Sequence, residues 1–226
     1  YHHLMGEPLI HPLLPWFIQM ACQAGFHPMI TTNGTLLDRF GDGILIPGLY
    51  KVNISLHSFE GEDRERHRRY IQNVVDFIEK ARPLGVKVSL RLWNNGFDGG
   101  RNNTVLDELR EYFPDPWREN TRGYRIRDGL FLEWGDRFAW PDQNAPEGGE
   151  DMTCRGLQDH FGILSDGTVV PCCLDSDGVI NLGNIHESPI EEILASDRAN
   201  AIKEGFKRRC AVEELCRKCG YARRFG

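Results

Sequence analysis

The sequence has little that would carry it into a membrane or onto nucleic acid. Its most apolar stretch, Leu13 to Phe26, contains Pro15, Gln19 and Gln23 and is too short to span a bilayer. No charged lead followed by an apolar block and a small-residue cleavage site is visible, so no secretory signal is read. No basic tract stands out among 27 basic and 33 acidic residues, and a net charge of −6 argues against a phosphate-neutralising surface. Internal repeats and low-complexity tracts are missing too. What is left is an ordinary globular composition, 40% hydrophobic and 27% charged over 226 residues, enough for one large domain and a small appendage. A cytoplasmic protein with no membrane or nucleic-acid partner is expected.

The first half alternates strand and helix signals. The chain opens at Tyr1, and Tyr1 to Met5 already reads as a strand, so a fragment that begins inside a fold is expected. Pro12 to Ala24 reads as a helix with Pro12 in its first turn and Gly25 as its stop. Strands follow at Pro28 to Thr32, Val52 to Leu56 and Val86 to Leu92, with a short connector at Gly41 to Gly48. Between the last two strands, Glu62 to Arg82 carries the helical stripe Ile71, Val74, Val75 and Ile78 and ends at Pro83 and Gly85. Thr104 to Tyr112 is a further helix. This rhythm argues for parallel β/α units, which place function at the carboxyl ends of the strands.

After Phe113 the rhythm breaks. Tyr124 to Ile126 and Leu130 to Glu133 read as short strands, and Phe138 to Met152, rich in Pro and Gly, as a linker. The domains are therefore expected at residues 1–150 and 151–226. In the second, Ser165-Asp166-Gly167 marks a hairpin between Phe161 to Leu164 and Thr168 to Val170. Ser188, Pro189 and Glu191 start a helix whose apolar face is Ile190, Ile193 and Leu194.

Six of the seven cysteines, Cys154, Cys172, Cys173, Cys210, Cys216 and Cys219, fall in the last third. An odd count and a Cys-x-x-Cys pair fit metal binding in a reducing compartment better than a disulfide framework. Cys154 and Cys172 lie on either side of the hairpin, which folds them to one end, and the Cys216–Cys219 pair closes the set. Four thiolates suit a tetrahedral zinc or an iron–sulfur cluster, and spacing alone does not separate the two. Cys173 is either a spare ligand or a neighbour in the core. Cys210 has no evident partner, and Cys22 sits in an apolar helix as a core residue.

At this point the pattern resembles a known family. "HLMGEPLIHP", "ITTNGT" and "VNISLHS" resemble successive strand ends of the radical S-adenosylmethionine (radical SAM) enzymes. "GILSDGTVVPCC", "NLGNIHESPIEEIL" and "CRKC" resemble the SPASM extension, which carries an auxiliary 4Fe–4S cluster. The resemblance covers nearly the whole chain. It implies an α/β fold: a partial (β/α)6 barrel lacking its first strand, followed by a small Cys-rich α+β domain. It implies Cys154, Cys172, Cys216 and Cys219 as ligands of the auxiliary cluster. It also implies that the full enzyme cleaves S-adenosylmethionine (SAM) to a 5′-deoxyadenosyl radical, which abstracts hydrogen from a peptide or small-molecule substrate. The electron donor would be a flavodoxin or ferredoxin.

Carried over residue by residue, Gly6, Glu7 and Pro8 match the motif that binds the methionyl amino group. Gly6 permits close approach, and Glu7 accepts charge-assisted bonds from an ammonium. Thr32 and Asn33 end the next strand, where a ribose or carboxylate is contacted, although Asn33-Gly34 is also a common turn dipeptide. Ser55 and His57 end the third strand on one face. Ser55 would contact the nucleoside, and His57 either meets substrate or caps a loop. Arg91, sharing a face with Trp93, pairs with the SAM carboxylate or forms a structural ion pair, and Asn94 ends that strand. His2, His3 and His11 read as barrel or loop residues. Glu133, Trp134, Asp136 and Trp140 either line substrate space or pack.

One feature of the family is missing: no Cys-x3-Cys-x2-Cys loop occurs in this sequence. The chain is therefore expected to be a truncation whose loop for the second 4Fe–4S cluster lies upstream, to be inactive alone, and to expose a sheet edge that lowers solubility or pairs with another chain. The competing expectation is a non-catalytic zinc-binding or scaffold module on a degenerate barrel.

Overall fold

Two five-residue strings, Lys-Val-Asn-Ile-Ser at 51–55 and Lys-Val-Ser-Leu-Arg at 87–91, alternate polar and apolar residues and lie side by side in the sheet. The computed structural model of the chain describes residues 1–59 and 63–225. They fall into two compact units, Tyr1–Arg137 and Phe138 onward.

The first unit holds α1 (Leu14–Gln23), β1 (Met29–Thr32), α2 (Leu37–Phe40), β2 (Lys51–Ser55), α3 (Arg64–Ala81), β3 (Lys87–Asn95), α4 (Arg101–Tyr112), β4 (Arg118–Asn120), β5 (Gly123–Arg127) and β6 (Leu130–Asp136). They form one six-stranded sheet in the order β1-β2-β3-β6-β5-β4. β1, β2, β3 and β6 are parallel, while β4 and β5 pair antiparallel as a hairpin extension. The expected strand–helix repeat stops there because the β4–β5 and β5–β6 links are tight turns, too short for a crossover.

The register places Ile54 beside Leu90 and Leu90 beside Leu132, all fully buried. This face joins Leu14 and Ile18 of α1, Ile71, Val74, Val75 and Ile78 of α3, and Val105 and Leu109 of α4 in one core. The α3 stripe is as the sequence predicts. The helix starts after Asp63, whose carboxylate accepts from the Glu65 and Arg66 amides at 2.9 and 3.2 Å. Glu62, read as its first residue, lies outside the described residues.

Several expectations are corrected. Tyr1 to Met5 forms no strand: strands exist by pairing, and no described residue pairs with these. α1 takes Pro15, not Pro12, in its first turn. β3 runs on to Asn95, beyond the predicted Leu92.

The second unit contains β7 (Gly162–Ile163), β8 (Val169–Val170), α5 (Ile190–Leu194), α6 (Asp197–Lys207) and α7 (Glu214–Arg217). β7 and β8 form the expected hairpin, with Asp166 Oδ1 accepting from the Thr168 amide at 3.0 Å. α5 begins one residue later than predicted, with Pro189 rather than Ser188 at its cap and no side-chain cap bond. α6 is capped by Ser196, which accepts from the Ala199 amide. Its Ile202 and Phe206 pack with Val169, Ile180, Leu182 and Ile193 in a separate core. The segment read as a linker, 138–152, is held inside this unit: Gly148 donates to Arg217 O at 2.9 Å, Met152 to Arg209 O at 3.0 Å, and Gly220 to Ala139 O at 3.1 Å. Met152 is buried there. Among the described residues, no helix is long and apolar enough to cross a membrane.

Leu90 sits at the centre of the sheet's apolar face, so Leu90→Ala should cost about 2–5 kcal/mol. Urea denaturation measures it; a loss below about 1 kcal/mol would contradict this packing.

Candidate cofactor and cluster sites

Glu7 is where distant parts of the first unit meet. Gly6 takes φ +90°, with nothing within 4 Å of where a Cβ would stand, so the turn uses a left-handed conformation facing open space. Glu7 then caps the one-turn helix Pro8–Ile10. Its Oε1 accepts from the Leu9 amide at 3.0 Å and from Thr32 Oγ1 at 2.7 Å, and its Oε2 from the Asn33 amide at 2.8 Å. A carboxylate offers about four acceptor positions, so one is left for a further donor.

The end of β1 is held as firmly. Thr32 is buried, and its hydroxyl also accepts from the Gly34 amide at 3.0 Å. Tyr70 of α3 donates to Asn33 O at 2.8 Å, and its ring stacks on Phe59. Burial and the Glu7 charge push the Tyr70 phenol well above its usual range, so it remains a donor. Gly34 has φ +79°, and a Cβ there would lie 2.9 Å from both Ile54 Cγ2 and Tyr70 Oη. Gly6, Glu7, Pro8, Thr32 and Asn33 thus lie together at the end of β1.

Ser55 closes β2 and pairs in register with Arg91, which pairs with Glu133 of β6. His57 is not on that strand. It lies in the turn Leu56–Ser58, with Nδ1 3.1 Å from Arg91 O and 3.3 Å from the Trp93 amide, so strand alternation does not place it. Burial keeps its pKa below the usual value, and the Arg91 charge acts in the same direction. Arg91 lies over the Trp93 ring, 4.6 Å from its centroid. Asn94 forms a reciprocal amide pair with Asn102. His11 accepts from the Leu13 amide, a loop role. Asp136 bonds Asn95, and Trp140 is exposed in the second unit.

The sheet's polar face joins Glu133, which the sequence offered for substrate space or packing, to Lys51, Asn53 and Ser89, which the sequence reading passed over. Glu133 Oε1 accepts from Ser89 Oγ at 2.6 Å and from Lys51 Nζ at 3.2 Å. Asn53, fully buried, faces the same way. The signal was present in the alternation at 51–55 and 87–91. Parallel strands buried on both faces are normally apolar throughout, so regular polar residues mark a lined face. Burial alone would raise the Glu133 pKa, but Ser89, Lys51 and Arg91 together hold it below the usual range.

In the second unit five thiols share one electrostatic neighbourhood. Burial pushes Cys172 up to about 12, helped by the charges of Cys173 and Cys154. Cys216 is raised by burial and then by Cys172, Cys154 and Cys219. Cys219, buried as a residue, is also raised by burial, with Cys154 adding to it. Cys173 is exposed as a residue, yet desolvation of its thiol and the charges of Cys154 and Cys219 raise it too. Neither Cys210 nor Cys22 contributes to these shifts. Cys210 donates its amide to Gly205 O, and Cys22 packs in the first unit's core against Gly48. Among the described residues, no three His, Cys, Asp or Glu side chains are grouped closely enough to hold a single metal ion. The five thiols are thus near enough to raise one another's pKa values without being gathered around a single point.

Residues 154–220 match the SPASM family, described as an iron–sulfur cluster-binding domain. The chain is 34% identical over 125 residues to a probable GTP 3′,8-cyclase of Archaeoglobus fulgidus, covering 52% of this chain and 39% of that protein. It is 44% identical over 115 residues to the GTP 3′,8-cyclase of Chlorobaculum tepidum, covering 47% and 34% respectively. The matches thus span less than half the length of these relatives. The crystal structure of BtrN with AdoMet and 2-DOIA superposes with TM-score 0.54 at 19% identity, over 96% of this chain and 70% of that one. The structure of anSMEcpe with bound AdoMet gives 0.55 at 16%, over 96% and 68%. The fold is therefore shared.

The depressed Glu133 pKa has a sign. Its contribution to stability is present above the unfolded carboxylate value of about 4.5 and is lost as pH falls through the lower folded value. Urea midpoints at pH 7 and pH 3 should show a smaller drop for Glu133→Gln than for the wild type. Equal drops would remove Glu133 from the acid response.

Proposed function

We propose, for a chain that is a radical SAM/SPASM protein by fold and domain, that it forms part of an enzyme that cleaves SAM to open radical chemistry on a substrate. An iron–sulfur cluster, reduced by a flavodoxin or ferredoxin, would supply the one electron that such chemistry needs, so that the C5′–S bond of SAM would break to methionine and a 5′-deoxyadenosyl radical able to take a hydrogen atom from a peptide or small molecule. The observation that carries the reading is Glu7: a carboxylate fixed by three donors, with one acceptor position left, at the carboxyl end of a parallel sheet.

The chain's own residues bind and orient. Gly6 and Pro8 shape the turn, and Glu7 receives the methionyl ammonium, a charge-assisted bond. Thr32 and Asn33 hold that carboxylate and present the end of β1 to the ligand. Ser55, one strand over, contacts the nucleoside. Arg91 stands beside it, where a guanidinium can meet the carboxylate of SAM. This sequence contains no Cys-x3-Cys-x2-Cys, and none of its residues is assigned to the cluster that would meet SAM. Cys154, Cys172, Cys216 and Cys219 would hold the auxiliary cluster, with Cys173 beside them.

The chain, purified and reconstituted without oxygen, should bind about four irons and four sulfides. Cys172→Ala should lose them and Cys173→Ala keep them; the reverse would make Cys173 the ligand. One zinc and no sulfide would overturn the cluster assignment and favour the scaffold role. In the intact enzyme, Glu7→Gln should weaken SAM binding by about tenfold or more. Unchanged affinity, measured by equilibrium dialysis, would remove Glu7 from the site.

A further inference from the structure

A Trp N–H or Tyr O–H carried into a core normally finds a hydrogen-bond partner. Three aromatic residues packed in the first unit's core follow this rule. Trp117 Nε1 donates to Phe113 O at 2.7 Å, Tyr70 Oη to Asn33 O at 2.8 Å, and Tyr112 Oη to Gln72 Oε1 at 2.6 Å. Tyr124 and Trp134 are partly buried against the same core and depart from it. Among the described residues, neither the Tyr124 hydroxyl nor the Trp134 indole nitrogen has a partner. Both atoms reach solvent, since neither is among those buried without a partner. Both residues also border one cavity, formed by Trp134 and the turn at 119–124. Its volume of about 390 Å³ falls within the range of small-molecule sites, about 300–1,000 Å³.

Register explains how these groups come together. Glu119 pairs with Tyr124, and Tyr124 with Leu132, so the three share one face of the sheet. Trp134, two residues beyond Leu132, points the same way. The link between β4 and β5 is the two-residue turn Thr121-Arg122. It is held by the Arg122 amide, which donates to Asn120 Oδ1 at 2.9 Å, and by the Trp134 amide, which donates to Arg122 O at 2.7 Å. Gly123 keeps the indole edge uncovered: a Cβ there would run into Leu132 O and stand 3.2 Å from Trp134 Cδ1. Trp117 meets the Tyr124 ring edge-on, with centroids 5.9 Å apart, and steadies it. Glu119 and Arg122 are exposed at the rim and, among the described residues, enter no ion pair, whereas Arg125 of the same hairpin is paired with Asp128. The cavity therefore has an aromatic floor with two unused donors, and a rim with one carboxylate and one guanidinium.

We propose that this cavity binds a planar heteroaromatic group whose edge carries acceptors and an amino donor. The flat face lies on the aromatic floor. The acceptors meet Trp134 Nε1, Tyr124 Oη and the Arg122 guanidinium, and the amino group donates to Glu119. A hydrocarbon ring would leave those donors unmet, and a simple anion would face the Glu119 carboxylate. β5 runs antiparallel to β6, so the turn stands at the carboxyl end of the parallel strands, as Glu7 does. β6 is three strand spacings from β1, about 14 Å, and Trp134 points to the face opposite Glu133. The cavity is thus separate from the residues assigned to SAM, and the proposal does not rest on that assignment.

The test uses the full chain with nicotinamide and cytosine as probes, and cyclohexanecarboxamide as a control that keeps a carboxamide but lacks the flat ring. Saturation-transfer NMR and calorimetry follow binding. At least one probe should bind in about the millimolar range expected of fragments this small, and the control should bind more weakly than nicotinamide. The Trp134 indole N–H signal, identified by its loss in Trp134→Phe, should shift on titration. Tyr124→Phe and Trp134→Phe should each weaken binding about two- to tenfold, the scale of one neutral hydrogen bond. Should circular dichroism show Trp134→Phe unfolded, Tyr124→Phe, which loses only a solvent-facing hydroxyl, carries the comparison. Failure of both probes to bind the wild type overturns the proposal. So does affinity unchanged in Tyr124→Phe with an unmoved indole signal, or a control that binds as tightly as nicotinamide.

Discussion

Side chains on a strand point alternately to opposite faces, and in a parallel sheet in register that rule is imposed on every neighbour at once. The strand that buries Val52 and Ile54 against the helices must present Lys51, Asn53 and Ser55 on the other side. β3 repeats the pattern, and β6 brings Glu133 into line with Arg91. One face supplies the apolar burial that holds the unit together. The other is left to polar groups that satisfy each other only in part. Stability and chemistry are thus divided between the two sides of the same few residues.

The ends of these strands are organised by a different interaction. Glu7 is separated from Thr32 by 25 positions, yet one carboxylate ties them and orders the Asn33 amide as well. The geometry depends on backbone that only glycine tolerates: Gly6 ahead of the carboxylate, and Gly34 wedged below Tyr70 Oη. Tyr70, on α3, links the loop to the helical layer. The second unit has its own long ties, such as Thr153 to the Phe206 carbonyl and Arg209 to Asp151. Its thiols are gathered by a short hairpin and a one-turn helix, and they repel as thiolates rather than attract.

Much of this was legible where a local signal coincided with a tertiary role. The α3 stripe, the Ser165-Asp166-Gly167 hairpin and the apolar alternation of β2 and β3 declare themselves because burial and periodicity agree. The β4–β5 hairpin did not, since Arg118–Asn120 is fully polar and its pairing is decided by the strand beside it. The 138–152 segment reads as a linker because its order comes from backbone bonds to Arg209 and Arg217, far away in sequence. The Glu7–Thr32 contact was not read at all: the resemblance gave each residue a separate ligand role, and no spacing rule connects those positions. Lys51, Asn53 and Ser89 could have been found, because polar residues recurring in a parallel strand are unusual, but none was singled out.

The burial of Cys172 has a consequence for its reactivity. Pushed up to about 12, it holds its proton at neutral pH, and it is the thiolate, not the thiol, that attacks, oxidises or binds metal. Any electrophile or metal that took this sulfur would have to displace that proton, so its binding would release acid and weaken as pH falls.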